Sequence, residues 1–130
     1  MHSQQLKVIL AIVIITAIIL FLILSRLEND RLIEKLDKEY SFELNHQTIL
    51  NDTISSTYYP DGWREDPEFR YVTLKGNKRI QIWAKSLERS EEANFKDVAL
   101  AGALLFKDAD SDTLKVKYKR EVYNFILVYK

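Results

Sequence analysis

The sequence predicts an α+β protein: a single N-terminal transmembrane helix continuing into a short amphipathic helix, then a small antiparallel β-sheet domain with one packed helix. Three observations lead there. An uncharged apolar run stands near the start, an apolar stripe at helical spacing comes after it, and two later segments alternate apolar with polar residues.

The apolar run extends from Val8 to Ser25, and fourteen of the seventeen residues from Val8 to Leu24 are Val, Ile, Leu or Phe. As a helix it spans about 27 Å, close to the roughly 30 Å of a bilayer's hydrocarbon layer, and Lys7 and Arg26 can extend to the two interfaces. Those fourteen side chains favour insertion by roughly 4 to 8 kcal/mol. A cleaved secretory signal also begins with a lysine and an apolar run, but this run exceeds the usual length and no small-x-small cleavage site comes after it. A buried core helix is excluded because the run is apolar on every face. The expected organisation is a tail at 1–7, an anchor in the lipid bilayer at 8–25, a juxtamembrane helix at 26–40 and a soluble domain at 41–130. Orientation is read from two opposing signals. Arg26, Arg31, Lys35 and Lys38 after the run favour a cytoplasmic domain, but acids interleave with them. A short lysine-bearing tail is the common form of an anchor that exports the domain C-terminal to it, so the expectation is a periplasmic domain.

Nineteen basic and nineteen acidic side chains cancel, and a neutral chain has no global field to gather nucleic acid. The absence of cysteine excludes a disulfide scaffold, a thiolate metal site and a cysteine nucleophile. About 105 residues after the anchor suffice for one core without covalent staples.

Beyond the anchor, Leu32, Ile33, Leu36 and Tyr40 share one helix face over Arg26 to Tyr40, too short a stripe for a coiled coil. Phe42 and Leu44 then alternate with polar residues, and Thr48 to Ile54 is β-prone but interrupted at Asn51-Asp52, which predicts one or two short strands. Pro60-Asp61-Gly62 marks a turn, and Pro67 closes the loop. Phe69 to Leu74 and Arg79 to Lys85 form a hairpin through Lys75-Gly76-Asn77-Lys78, glycine suiting the first central position. Ile80, Ile82 and Ala84 occupy one face, with Gln81 and Trp83 on the other. Ser90-Glu91-Glu92 opens a helix with Phe95, Val98, Ala99 and Leu105 as its stripe, weakened at Gly102. Leu114, Val116 and Tyr118 alternate with Lys115, Lys117 and Lys119. A final strand, Val122 to Tyr129, is apolar on both faces, as befits a central strand covered by a helix.

Tyr71 to Lys130 resembles the C-terminal part of small bacterial membrane-anchored envelope proteins. The resemblance rests on the Gly76-Asn77 turn between strands, a short helix, Ser111-Asp112-Thr113-Leu114 opening a hairpin, and Tyr123-Asn124-Phe125-Ile126-Leu127 ending it. Ala101-Gly102-Ala103 and Lys119-Arg120-Glu121 depart from the pattern, the latter where an Asn-Gly type turn is usual. The resemblance implies a tethered domain outside the cytoplasm and brings no activity with it.

Candidate chemistry is sparse. Asp108, Asp110 and Asp112 have the alternation that begins a calcium loop, but Thr113 stands where glycine is required and Lys119 where a bidentate glutamate is, so they are read as an acidic turn. His46 lacks a nucleophile and orienting acid recognisable in sequence, and Glu65, Asp66 and Glu68 are read as a solvated loop rather than a carboxylate pair. No catalytic, cofactor-binding or metal-binding residue is assigned, and a non-enzymatic protein-interaction module is expected. Two contact surfaces are candidates: the loop carrying Tyr58, Tyr59, Trp63 and Arg64, whose residue types are favoured at interfaces, and the strand lined by Lys115, Lys117 and Lys119. For the first the plainer reading is a loop packed over the sheet. For the second it is a solvated face that discourages edge pairing.

Overall fold

The structure is a computed structural model that describes residues 2–61, 63–87 and 93–129. Two compact units result, 1–38 and 39–130. The first is nearly all of helix α1 (His2–Glu39), whose apolar window is a candidate membrane span by length and composition and has none of its residues buried. The expected tail at 1–7 is not separate from it. From His2 the chain is already helical and continues unbroken through the juxtamembrane stretch to Glu39, with no glycine or proline to interrupt it. The Thr16 hydroxyl bonds back to the Ile12 carbonyl at 2.8 Å, which satisfies the polar side chain in the middle of the run.

The second unit is more than the small sheet expected. Six antiparallel strands, β1 (Leu50–Tyr58), β2 (Phe69–Leu74), β3 (Arg79–Ser86), β4 (Leu104–Lys107), β5 (Thr113–Tyr118) and β6 (Glu121–Leu127), close into a barrel in the order β1-β2-β3-β6-β5-β4. β1–β2–β3 and β4–β5–β6 are meanders, and β4 returns beside β1, a Greek-key arrangement. Closure depends on two strands that change partner along their length. Leu50–Thr53 of β1 pair with β4 and Ile54–Tyr58 with β2, with a bulge between Ile54 and Ser56 that bends the strand. Phe69 to Thr73 of β2 take Trp83 to Arg79 of β3, which then passes Ala84–Ser86 to β6.

The inward residues form one core. Leu50, Ile54, Val72, Leu74, Ile80, Ile82, Ala84, Leu105, Leu114, Val116, Phe125 and Leu127 are buried together, as the alternation in β3 and β5 predicts. Phe95, Val98, Ala99 and Ala103 complete it, the Phe95 ring meeting Phe125 edge-on at 5.5 Å. These residues come from a single helical turn, α2 (Phe95–Val98), and its exit, not from the longer helix expected. The Asp97 carboxylate accepts the Asn94 N–H at 2.9 Å and so fixes the start, whereas the predicted start at Ser90-Glu91-Glu92 lies outside the described residues. The chain leaves through Gly102 at φ +93°, whose N–H donates to the Ile54 carbonyl, and Leu105 belongs to β4.

Two other expectations change for local reasons. Asn51-Asp52 does not break β1, because the Asp52 carboxylate accepts the Gly76 N–H at 2.9 Å while Lys75 N–H reaches the Thr53 carbonyl. A Cβ on Gly76 would lie 2.7 Å from that carboxylate, so the glycine serves close approach, and the positive φ of the β2–β3 turn falls on Asn77 instead. Phe42 and Leu44 form no regular strand. Phe42 makes a lone parallel bridge to Ile80, its N–H meeting the Arg79 carbonyl, and Lys78 lies over its ring at 4.7 Å. The segment thus covers the part of β3 that β6 leaves unpaired.

Lys107 is the one buried charged residue among those described, 1 % exposed. Its ammonium donates to the carbonyls of His46, Thr48 and Asp108 at 2.8, 2.7 and 3.0 Å, using all three of its protons. Lys107→Met keeps the stem but leaves those carbonyls without their donor. It should lower unfolding free energy by about 2–4 kcal/mol, read from urea unfolding of the full chain in detergent by tryptophan fluorescence. The β5–β6 turn carries strain of a different kind. Lys119 and Arg120 both have positive φ, 49° and 70°, in a two-residue hairpin that favours Asn-Gly. Lys119→Asn with Arg120→Gly should therefore raise the unfolding free energy by about 1–2 kcal/mol, read as a higher urea midpoint.

Candidate interaction surface

The outer face of β4, β5 and β6 carries the lysine stripe. Register sets Leu104, Lys117 and Val122 side by side across the three strands, and beside them Phe106, Lys115 and Asn124. Leu104, Phe106, Lys115, Lys117 and Val122 line one shallow groove. Val122 is 55 % exposed and Ile126 farther along β6 is 43 % exposed, so the final strand is apolar outward without the helical cover expected for it among the described residues. Lys115 and Lys117 are exposed and make no ion pair among the described residues; their methylene stems can lie along the apolar side chains while the ammonium groups stand in solvent. Lys119 sits over the Tyr118 ring at 5.3 Å, and Arg120 is exposed at the turn. Glu121, the acid nearest that turn in sequence, accepts a hydrogen bond from the Tyr123 hydroxyl at 2.8 Å. Because β5 is paired on both sides, its lysines guard no open edge.

The aromatic loop is built differently. Arg70 on β2 is its hub: the guanidinium lies 4.5 Å from the Tyr59 ring centroid, donates to the carbonyls of Asp66 and Phe69, and meets Glu65 at 3.0 Å. Glu65 also meets Lys96 of α2 at 3.4 Å. The Arg70 hydrogen bond, with Lys96 in support, holds its carboxyl below the usual range. The Tyr59 hydroxyl donates to the Arg64 carbonyl. Trp63 meets Tyr59 and Tyr71 edge-on, and Tyr71 in turn contacts Tyr40, Tyr58 and Phe69. Tyr59 and Trp63 are thus half-buried against the barrel wall, while Tyr58 and Arg64 remain exposed. The plainer reading, a loop packed over the sheet, describes most of this geometry. Arg70 and Lys107 were missed in the sequence because their roles depend on carbonyls brought from distant positions.

His46, Asp112 and Tyr129 form a convergence of titratable groups that the sequence left unconnected. His46 Nδ1 and the Tyr129 hydroxyl both lie 2.8 Å from Asp112 Oδ1. The His46 bond, then the Tyr129 bond, lower the Asp112 pKa; desolvation, then the Asp112 carboxylate, push Tyr129 up to about 12. Asp112 is therefore spent on a latch between the segment before β1, the β4–β5 turn and the C-terminal residues. Among the described residues no group of three or more His, Asp or Glu side chains could hold a metal.

Comparison with protein-family models, curated proteins and solved structures finds no match to the chain.

The Asp112 shift has a definite sign. A carboxyl whose folded pKa lies below its unfolded value contributes stability above about pH 3.8, lost as pH falls through the folded value. Asp112→Asn should lower the urea midpoint at neutral pH, and the gap to the unaltered chain should close on acidification through that range. A gap that stays constant with pH would exclude the latch as its source.

Proposed function

We propose that the chain is a non-enzymatic, membrane-tethered binding module of the bacterial envelope: α1 spans the bilayer, the barrel works outside the cytoplasm, and the β4–β6 face is its contact surface. The observation that carries this reading is the lysine-flanked apolar groove on a strand already paired on both edges, where edge protection gives the lysines no role. Exposed apolar side chains next to one sign of charge are the common form of a contact site. The polar groups that could have served chemistry support the non-enzymatic reading. Lys107 and Arg70 are committed to carbonyls and an ion pair, and the Tyr129 hydroxyl is held by the Asp112 carboxylate, its pKa pushed up to about 12, rather than activated by His46.

A cytoplasm-facing adaptor of a membrane complex is the second reading, favoured by Arg26, Arg31, Lys35 and Lys38 after the span. A reporter active in only one compartment, fused at the C-terminus, separates them: activity confined to the periplasmic reporter fits the first and activity confined to the cytosolic reporter the second. The contact surface is tested with a photoactivatable residue at Val122 in the full chain in membranes. Adducts should form there and not at Lys75, in the β2–β3 turn. Equal labelling at the two sites would dismiss the surface.

A further inference from the structure

Resting on that reading, we infer that the occupant of the β4–β6 face is the anionic headgroup layer of the bilayer into which the chain is anchored. Four observations converge. Lys115 and Lys117 line the groove, Lys119 and Arg120 follow on the adjoining turn, and the Glu121 carboxylate beside that turn is engaged by the Tyr123 hydroxyl. Charge complementarity therefore points to a polyanionic surface.

Residue type then separates lipid from protein. Lysine is depleted at protein–protein interfaces, whereas lysines around exposed Leu, Phe and Val side chains are the pattern of an interfacial membrane contact, apolar groups entering the headgroup boundary and ammonium groups remaining at phosphate level. Leu104, Phe106 and Val122 supply the apolar part in one continuous groove.

The turn adds an independent argument. Lys119 and Arg120 hold left-handed backbone conformations that Asn and Gly occupy without strain, so two cations persist where the backbone disfavours them. A requirement for charge at the hairpin tip accounts for that.

Finally, the tether makes weak contact sufficient. The candidate span confines the barrel near one bilayer surface, and effective concentration then replaces intrinsic affinity. Nucleic acid fits less well, since Tyr118 is the lone aromatic interleaved with the cations.

The test uses the full chain reconstituted in vesicles of phosphatidylcholine, with or without phosphatidylglycerol, and with acyl-brominated lipid as quencher. The chain has no cysteine, so Val122→Cys and, separately, Lys75→Cys each accept one environment-sensitive fluorophore. The Val122 label should shift to the blue and be quenched only with phosphatidylglycerol, the Lys75 label in neither. Added salt should reverse the effect, and each of Lys115→Glu and Lys117→Glu, which removes a cation and adds an anion, should weaken the contact at least about fivefold. A label at Val122 that stays water-like with phosphatidylglycerol at low salt overturns the lipid assignment. The photo-adducts from Val122 then discriminate: one protein species leaves the contact surface standing with a protein occupant, whereas no adduct above the Lys75 control removes both readings.

Discussion

Closure of the barrel is the constraint on which the rest of the structure depends. Every backbone edge in a six-stranded sheet must be paired, and here that is achieved by letting β1 and β3 each serve two neighbours. The β3–β6 seam is short, with three residue pairs. It is completed by Val128 N–H on the Trp83 carbonyl at one end and by Phe42 on Arg79 along the half of β3 that β6 leaves unpaired. The segment directly after α1 is therefore structural material of the barrel and more than a linker. Tyr40 stacks at 5.1 Å on Tyr71, and Gln81 donates to the Tyr40 carbonyl.

Two cations finish what the ladders leave open. Lys107 gathers carbonyls from the segment before β1 and from its own turn, and Arg70 gathers carbonyls from the loop between β1 and β2. A buried ammonium without acceptors would cost several kcal/mol, so each arrangement is stable only as a complete set. The hydrogen-bonding capacity of Lys107 and Arg70 is spent on backbone carbonyls around the barrel, whereas Lys115 and Lys117 on the outer sheet face make no ion pair among the described residues.

At the β5–β6 turn and on the outer face of β6, left-handed Lys119 and Arg120 and the solvent-facing Val122 and Ile126 each oppose the choice that folding alone would favour. The interior of the same two strands is regular, with Leu114, Val116, Phe125 and Leu127 all buried.

How much of this was legible depends on the range of each interaction. Val8 to Ser25 identifies a membrane-spanning candidate by itself, because length and hydropathy need no partner. The β2–β3 and β5–β6 hairpins and the inward faces of β3 and β5 come from alternation and turns within a few residues. β1 was obscured at Asn51-Asp52, whose tolerance in a strand depends on the N–H of Gly76 across the turn. Leu105 was drawn into a helix because a short apolar stripe fits either period until Gly102 and Ala103 are tied to Ile54. The sequence by itself thus determined the membrane-spanning candidate, the core-facing residues of β3 and β5 and the lysine-lined strand. Tertiary structure alone decided closure, the partner changes of β1 and β3 and the buried place of Lys107, because register between strands far apart in the chain is set by long-range hydrogen bonds that no local pattern encodes.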